Sequence, residues 1–249
     1  MSPTAKRVSV IATIPNASSL TGIAELEKDI FHVTVANVTG TQPTALGTNA
    51  VWRVDLRGLG VAVNGTVTNP AKTSLVAKIP TAGLLNGMTP LGRVLSLDVE
   101  TKAYETVIED ETTAGRPERL VAVNGIRTHG NDLFYVNQVR NLFFKVPISM
   151  STGRPVGPAE VLANGTVPFA DDFALSQDAK RAWIALNSQN VIVEVDVAAR
   201  TSTVIVNSTT LGEGSSVAVT GGPGSRSLYV TGSTVVGSAS VGAVFRLDG

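Results

Sequence analysis

The sequence contains no cysteine, which excludes disulfide scaffolds, thiolate nucleophiles and zinc or iron–sulfur sites held by cysteine. Histidine is nearly as scarce: only His32 and His129 are present, so one chain cannot form an all-histidine metal site. Charged residues make up 16% of the chain, below the ~25% that is typical of soluble proteins. Lys+Arg and Asp+Glu number 20 each, so no excess of positive charge is available for phosphates. We therefore expect no nucleic-acid partner.

Long apolar runs are also missing. No run approaches the ~18–20 residues that a membrane-spanning helix needs, so we expect no membrane span. Residues 1–7 are polar and lead into a strand-like segment, so we expect no secretory signal peptide there. Five Asn-x-Ser/Thr motifs are nevertheless candidates for N-glycosylation, although a plain turn is an equally good interpretation of each. The motifs begin at Asn16, Asn37, Asn64, Asn164 and Asn207.

What the sequence does contain is typical of β-strands. Residues 191–197 and 203–206 are two β-branched runs at hairpin spacing, and 94–99 with 104–108 repeat the arrangement. No window keeps a 3.6-residue apolar period for ten residues. The 24 glycines and 12 prolines are scattered rather than gathered into a linker. We therefore predict an all-β chain with a single domain over residues 1–249.

Two motifs recur in fixed order and indicate a repeat. The first opens a short apolar strand with a polar residue, and its copies begin at Thr21, Asn86, Asn124, Asp171 and Ser215. The second ends an amphipathic strand with apolar-Asp-apolar or a variant, centred on Asp55, Asp98, Pro147, Asp196 and Asp248. The second motifs are 43, 49, 49 and 52 residues apart. A period of 40–50 residues built from short strands is typical of a β-propeller, whose blades are four-stranded sheets.

The spacing within each repeat makes two further predictions. Only 12 residues separate Asn86 from Asp98, so this blade has room for fewer strands than the others. Residues 8–14 form an unassigned strand, which we expect to complete the last blade as its outer strand and cover an open edge.

The polar strand starts also resemble those of a known family. Residues 19–25 (SLTGIAE), 85–88 (LNGM), 123–126 (VNGI) and 170–175 (ADDFAL) resemble the SMP-30/gluconolactonase/LRE-like propellers, and more closely their fungal branch. The resemblance runs from about residue 9 to residue 247. It implies a six-bladed propeller, of which about five blades are recognisable here and the first is largely missing.

Hydrolytic members of that family hold one divalent metal at the channel mouth with a Glu, an Asn and an Asp. By motif, Asn124 matches the metal-binding Asn, Asp171 the metal-binding Asp and Asn86 a substrate-binding Asn. The strand that carries the Glu has no counterpart in this sequence. The resemblance thus implies a lactone hydrolase with one divalent cation (Ca²⁺, Mg²⁺, Mn²⁺ or Zn²⁺) acting as a Lewis acid.

Other members of the fungal branch are hetero-Diels–Alderases, which join a tropolone quinone methide to the sesquiterpene humulene in meroterpenoid biosynthesis. This chemistry needs orientation and a general acid or base, but no cofactor. The resemblance makes it our leading hypothesis, with a small molecule as the partner. The catalytic candidates are Asp171 and Asp172. The substrate-binding candidates are Thr21, Asn86, Asn124, Tyr135 and Ser215.

Two alternatives stay open at this point: the metal-dependent lactone hydrolase and a truncated propeller without catalytic activity. The family and the sequons favour the secretory pathway, while the polar N-terminus leaves a cytoplasmic location as the alternative. The sequence does not determine the oligomeric state.

Overall fold

The computed structural model describes residues 9–39, 42–43, 47–82, 93–115, 121–220, 227–236 and 239–248. Within these ranges the chain is almost entirely β-strand, with one 3-10 helix at Thr209–Leu211. The prediction of an all-β chain is therefore confirmed. Among the same residues, no helix has the length and apolar character needed to cross a membrane.

The described residues belong to two compact units. The first lies within 1–86 and 97–104, and the second lies within 87–96 and 105–249. The single domain predicted over residues 1–249 stays a prediction.

The first unit is built on one antiparallel sheet with the strand order β1-β2-β5-β8. Its strands are β1 (Ser19–Glu27), β2 (Ile30–Ala36), β3 (Val38–Thr39), β4 (Gln42–Pro43), β5 (Ala50–Asp55), β6 (Gly60–Val61), β7 (Val67–Asn69) and β8 (Lys72–Lys78). The short strands pair as β3–β4 and β6–β7. A buried apolar cluster on one face of the sheet includes Val33, Val35 and Val54.

The segment before β1 does not extend the last sheet as expected. Residues 9–14 form no strand, and the carbonyl of Ile11 accepts a hydrogen bond from the Ala71 amide at 2.8 Å. Ile14 is buried in the apolar cluster of the first unit, beside Val33 and Val54. The prediction was wrong because burying Ile14 in this cluster holds the segment on the first sheet.

The next two strands, β9 (Val94–Leu97) and β10 (Tyr104–Ile108), form a hairpin. The structure describes only these two strands between residues 93 and 108. Asn86 and the strand predicted to begin there lie outside the described residues. Since Asp98 follows β9 directly, the hairpin corresponds to the third and fourth strands of the repeat.

Three further sheets make up most of the second unit. Their strands are β11 (Val123–His129), β12 (Asp132–Asn137), β13 (Leu142–Pro147), β14 (Glu160–Asn164), β15 (Ala170–Leu175), β16 (Arg181–Leu186), β17 (Val191–Asp196), β18 (Thr201–Asn207), β19 (Ser216–Thr220), β20 (Ser227–Val236) and β21 (Ala239–Asp248). Strands β11–β14 and β15–β18 form four-stranded antiparallel sheets, and β19–β21 form a three-stranded one. In each sheet the strands follow chain order, as the repeat predicts.

The sheets β11–β14 and β15–β18 are buried on both faces, which explains the nearly continuous apolar runs of their inner strands. Because side chains alternate along a strand, Ala182, Ile184 and Leu186 of β16 pack toward β11–β14. Trp183 and Ala185, on the opposite face, pack toward β19–β21. The first strands of the three sheets, β11, β15 and β19, therefore lie side by side.

The repeated Asp that ends a third strand forms the following turn. The Oδ1 atom of Asp196 accepts hydrogen bonds from the amides of Ala198 (3.0 Å) and Ala199 (2.8 Å). The Asp196 carbonyl accepts from Arg200, whose φ of 57° is left-handed. Asp98 makes the same contacts with the amides two and three residues later. At Asp98 and Asp196 the second motif is therefore an Asx-type turn signal.

We expect Asp196→Ala to lower the free energy of unfolding by about 1–2 kcal/mol, because two backbone amides lose their acceptor. Asp196→Asn is the matched control, since it keeps the accepting oxygen and should lose less. Urea unfolding of the three proteins measures the difference. Equal midpoints for the alanine variant and the wild type would contradict this role for Asp196.

Candidate active site

The candidate site lies where two first strands begin, and each strand has a β-bulge there. In β11 the pairing with β12 is interrupted between Val123 and Ile126, so that Asn124 and Gly125 lie in the interruption. In β15 the pairing with β16 is interrupted between Ala170 and Phe173, at Asp171 and Asp172. A bulge redirects the side chains at its position, and here it brings polar residues together near the strand ends.

The carboxylate of Asp171 is held between two amide groups. Asn124 donates from Nδ2 to Oδ1 of Asp171 at 2.5 Å. Asn187, which follows β16 directly, donates from Nδ2 to Oδ2 at 2.9 Å. We call Asn124, Asp171 and Asn187 the Asp171 cluster. Asn124 is buried, while Asp171 and Asn187 are partly exposed, so solvent or a ligand can reach the carboxyl group.

The electrostatic surroundings of Asp171 favour a group that exchanges protons near neutral pH. Burial raises the pKa of Asp171 to about 6. The hydrogen bonds from Asn187 and Asn124 act in the opposite direction, and the neighbouring charge of Asp172 adds to the increase. A carboxyl group with a pKa in this range can act as a general acid or a general base.

Asp172 joins three strands through a second set of contacts, which we call the Asp172 bridge. Its Oδ2 atom accepts from Arg127 of β11 at 2.6 Å and from Ser216 of β19 at 2.7 Å. The Arg127 guanidinium also lies over the ring of Phe173, 5.7 Å from its centroid. The Oδ1 atom of Asp172 is buried without a hydrogen-bond partner among the described residues. That oxygen faces Gly125, where a Cβ would come within 2.5 Å of it.

The structure brings Asn124 together with Asp171 and places Asp172 beside them on the same strand. Ser215 precedes β19 and bonds to Thr231 instead, with 3.0 Å between the two hydroxyl oxygens. Thr21 belongs to the first unit, and its hydroxyl lies 3.1 Å from that of Thr34. Asn86 lies outside the described residues.

Tyr135 is not brought to this cluster. It is fully buried in the core formed with the β9–β10 hairpin, and its ring stacks on Phe144 with centroids 5.2 Å apart. Its hydroxyl lies 2.5 Å from that of Thr112. Burial raises the pKa of Tyr135 to about 12, so the phenol stays protonated. Side chains alternate along β12, so Leu133 and Tyr135 face the core shared with the β9–β10 hairpin. The two neighbours of Tyr135 on the strand face the core shared with β15–β18 instead.

Asn187, Arg127 and Ser216 belong to the site although they were not predicted. Arg127 lies three residues after Asn124, and Ser216 follows the predicted Ser215. Asn187 does not belong to either repeated motif. It directly follows β16, which pairs with β15, so its position predicts a contact with the start of β15 once that pairing is known.

The side chains of the Asp171 cluster, in their present arrangement, do not form a site for a divalent cation. Both carboxylate oxygens of Asp171 accept N–H groups, and Asp171 is the only anionic member of its cluster. Within the described ranges, no three His, Asp or Glu side chains come together in a metal-binding geometry. Calcium and magnesium require several oxygen ligands, so both amides would have to turn before a cation could bind.

The predicted glycosylation sites differ in accessibility. Asn37 is partly buried, and its Oδ1 atom accepts from the Ser18 amide at 3.1 Å. The other four side chains are exposed, namely Asn16, Asn64, Asn164 and Asn207. Asn64 also forms a turn, because its Oδ1 atom accepts from the Thr66 amide. Glycosylation stays a prediction.

The close approach of Gly125 to Asp172 gives a test of this packing. We expect Gly125→Ala to lower the free energy of unfolding by about 1–3 kcal/mol, because its Cβ would lie 2.7 Å from the Asp172 Cα and would separate β11 from β15. Gly242→Ala is the control, since nothing lies within 4 Å of its added Cβ. Denaturant unfolding compares the two variants. A Gly125→Ala protein with the free energy of unfolding of the wild type would contradict the close packing of Gly125 against Asp172.

The raised pKa of Asp171 gives a pH-dependent prediction. The unfolded chain releases this proton near pH 3.8 and the folded chain near pH 6, so stability falls as the pH rises between these values. Asp171→Asn removes the fall. Relative to wild type, we expect the variant to gain about 2–2.5 kcal/mol between pH 4 and pH 7, since each unit of pKa difference corresponds to ~1.4 kcal/mol.

Chemical denaturation at a series of pH values measures this gain. Asp178→Asn is a control of opposite sign, because a hydrogen bond from Ser176 lowers the pKa of Asp178 to about 2. Its loss of stability relative to wild type should grow as the pH rises from 2 to 4. A constant difference between Asp171→Asn and wild type would show that Asp171 has an ordinary pKa.

Comparison with solved structures identifies the fold. A chain of the nidogen/laminin complex aligns with a TM-score of 0.61 and 12% identity, over 96% of this chain and 78% of that one. Luciferin-regenerating enzyme aligns with a TM-score of 0.56 and 14% identity, over 92% and 78%. Regucalcin from Agrobacterium tumefaciens, described as a calcium-binding protein, aligns with a TM-score of 0.50 and 16% identity, over 85% and 67%.

No family model matches the sequence. No curated protein matches it either. At 12–16% identity, the structural similarity shows the fold alone. Luciferin-regenerating enzyme and regucalcin are β-propellers related to SMP-30/gluconolactonase. The four-stranded repeats described above have the arrangement of propeller blades, and the predicted fold is confirmed: the chain is a β-propeller.

Proposed function

We propose that this propeller is a cyclase of the hetero-Diels–Alderase type in which Asp171 is the general acid and base. The observation that carries the proposal is the Asp171 cluster: a partly buried carboxyl group fixed by two amides, with a pKa of about 6. Near pH 6 this group is present in both protonation states, as a residue that first donates and then accepts a proton must be.

The proposed reaction begins with a dehydration. Protonated Asp171 gives its proton to the hydroxyl of a tropolone carbinol, and the C–O bond breaks with loss of water. The resulting carboxylate then takes the proton of the ring hydroxyl, which leaves a neutral quinone methide. Asp171 is thereby returned to its protonated form. The net change is the loss of one water molecule, so no oxidant or external base is required.

The second step is a cycloaddition between the quinone methide and an alkene of the sesquiterpene. One C–C bond and one C–O bond form together, and no proton moves. Catalysis of this step consists of holding both partners in a reactive orientation. The fixed amide of Asn124 supports this role, because its Oδ1 atom is available to accept from a hydroxyl of the tropolone.

Membership of the fungal branch of the SMP-30/gluconolactonase family belongs to the same proposal. It is supported by the propeller fold and by the Asn124 and Asp171 motifs. A small molecule is the proposed partner, with no cofactor. Passage through the secretory pathway is also part of it, supported by the four exposed sequon asparagines.

We expect Asp171→Asn to reduce turnover of a tropolone carbinol with humulene by about 10²–10⁴-fold, because an amide cannot transfer the proton. Product formation by liquid chromatography and mass spectrometry measures the effect. Turnover by the wild type should survive exhaustive EDTA treatment. Asp178→Asn, which changes an exposed aspartate, is the control and should be fully active.

A lactone assayed in parallel distinguishes the alternatives. Lactone hydrolysis that EDTA abolishes and added Ca²⁺, Mg²⁺, Mn²⁺ or Zn²⁺ restores would overturn the cyclase proposal. No turnover of either substrate would favour a propeller without catalytic activity.

A further inference from the structure

Asn187 is fixed at both ends of its side-chain amide. Its Nδ2 atom donates to Asp171 Oδ2 at 2.9 Å, and its Oδ1 atom accepts from the Ser188 hydroxyl at 2.9 Å. Its backbone amide donates to the Phe169 carbonyl at 3.0 Å, which anchors the residue beside the start of β15. An ionised carboxylate can only accept hydrogen bonds, so it determines that Nδ2 rather than Oδ1 of Asn187 faces it, whereas the Ser188 hydroxyl can donate or accept.

This orientation decides what Asp171 can bind. A divalent cation needs oxygen ligands, and its affinity rises with the number of anionic ones. Here the Oδ2 atom of Asp171 faces an N–H group in the position where a cation would approach. Turning the Asn187 amide would place its Oδ1 atom against the carboxylate, and both of these groups would then be acceptors. Asn124 presents a second N–H to the other oxygen.

We infer that Asn187 keeps divalent cations out of this site, and that a carboxylate at position 187 converts the Asp171 cluster into a cation site. In Asn187→Asp, a second carboxylate would lie next to Asp171. Their mutual repulsion favours a cation between them, and Asn124 could then turn its carbonyl oxygen toward the ion. The inference concerns the same site as the proposed function but does not depend on the proposed reaction.

The test is titration of the full chain with MnCl₂, by calorimetry and by the electron paramagnetic resonance signal of free Mn²⁺. We expect no one-to-one binding by the wild type. Asn187→Asp should bind one Mn²⁺ per chain at least about tenfold more tightly than the wild type does. Adding Asp171→Asn to that variant should abolish the gain. Gln189→Asp is the matched control, since it adds the same charge at a nearby exposed residue that does not contact Asn187 and should not bind.

Asn187→Ala provides a second variant in case the aspartate variant folds poorly. It removes one N–H group without adding charge, so it should bind Mn²⁺ more tightly than the wild type but less tightly than Asn187→Asp. Circular dichroism and thermal midpoints confirm that each variant is folded. Tight Mn²⁺ binding by the wild type that Asp171→Asn removes would overturn the inference. Failure of both Asn187 variants to bind Mn²⁺ more tightly than Gln189→Asp would also overturn it.

These outcomes are separable from those of the cyclase assay. If the Asn187 variants gain Mn²⁺ and the wild type turns over no tropolone substrate, the inference stands and the proposed function fails. If the wild type is an active cyclase and the variants gain no affinity, the proposed function stands and the inference fails.

Discussion

The architecture of the second unit depends on two four-stranded sheets, β11–β14 and β15–β18, that bury both of their faces. Strand β16 supplies Ile184 to one core cluster and Trp183 to another, so its sheet cannot move without exposing apolar surface on two sides. This packing places the first strands β11, β15 and β19 side by side. Polar residues at their starts are then brought together by the apolar cores rather than by their own attraction. The Asp171 cluster and the Asp172 bridge both result from that constraint.

The site is held at some cost to stability. Ionised Asp171 is partly removed from water, and two neutral amides compensate for this only in part, which is why its pKa lies above the usual range. Asp172 has a buried oxygen without a described partner, although Arg127 and Ser216 bond to its other oxygen. Two adjacent carboxylates therefore lie partly removed from water at the start of one strand.

Much of the fold could be predicted from the sequence because its signals are local. Alternating residues and the recurring Asp at strand ends are properties of neighbours in the chain, and the contacts of Asp98 and Asp196 explain the repeat directly. The placement of residues 9–14 was wrong because it depended on which distant surface would bury Ile14. Tyr135 was predicted to bind substrate, but the face of β12 on which it lies is covered by a neighbouring core that the sequence does not reveal.

The same distinction applies to the site. Asn124 and Asp171 could be found because each opens a repeated strand, and repeats of one fold place such residues at equivalent positions. Asn187 could not be found in this way, since its contact with Asp171 depends on the pairing of β15 with β16. Arg127 and Ser216 reach Asp172 from two other sheets. Which of several neighbouring polar residues makes such a contact depends on side-chain geometry that a linear pattern does not contain.

The bulge at the start of a first strand has a consequence for how this fold can diverge. In β1 it holds Thr21, in β11 Asn124 and Gly125, and in β15 Asp171 and Asp172. A bulged residue is the extra one in its strand, so a side chain there can be replaced without changing the ladder pairing, except at Gly125, which has no room for a Cβ. Descendants of one ancestral repeat can therefore exchange hydroxyl, amide and carboxyl groups at this position while the sheets keep their register. New substrates become accessible by single substitutions, without the evolution of a new scaffold.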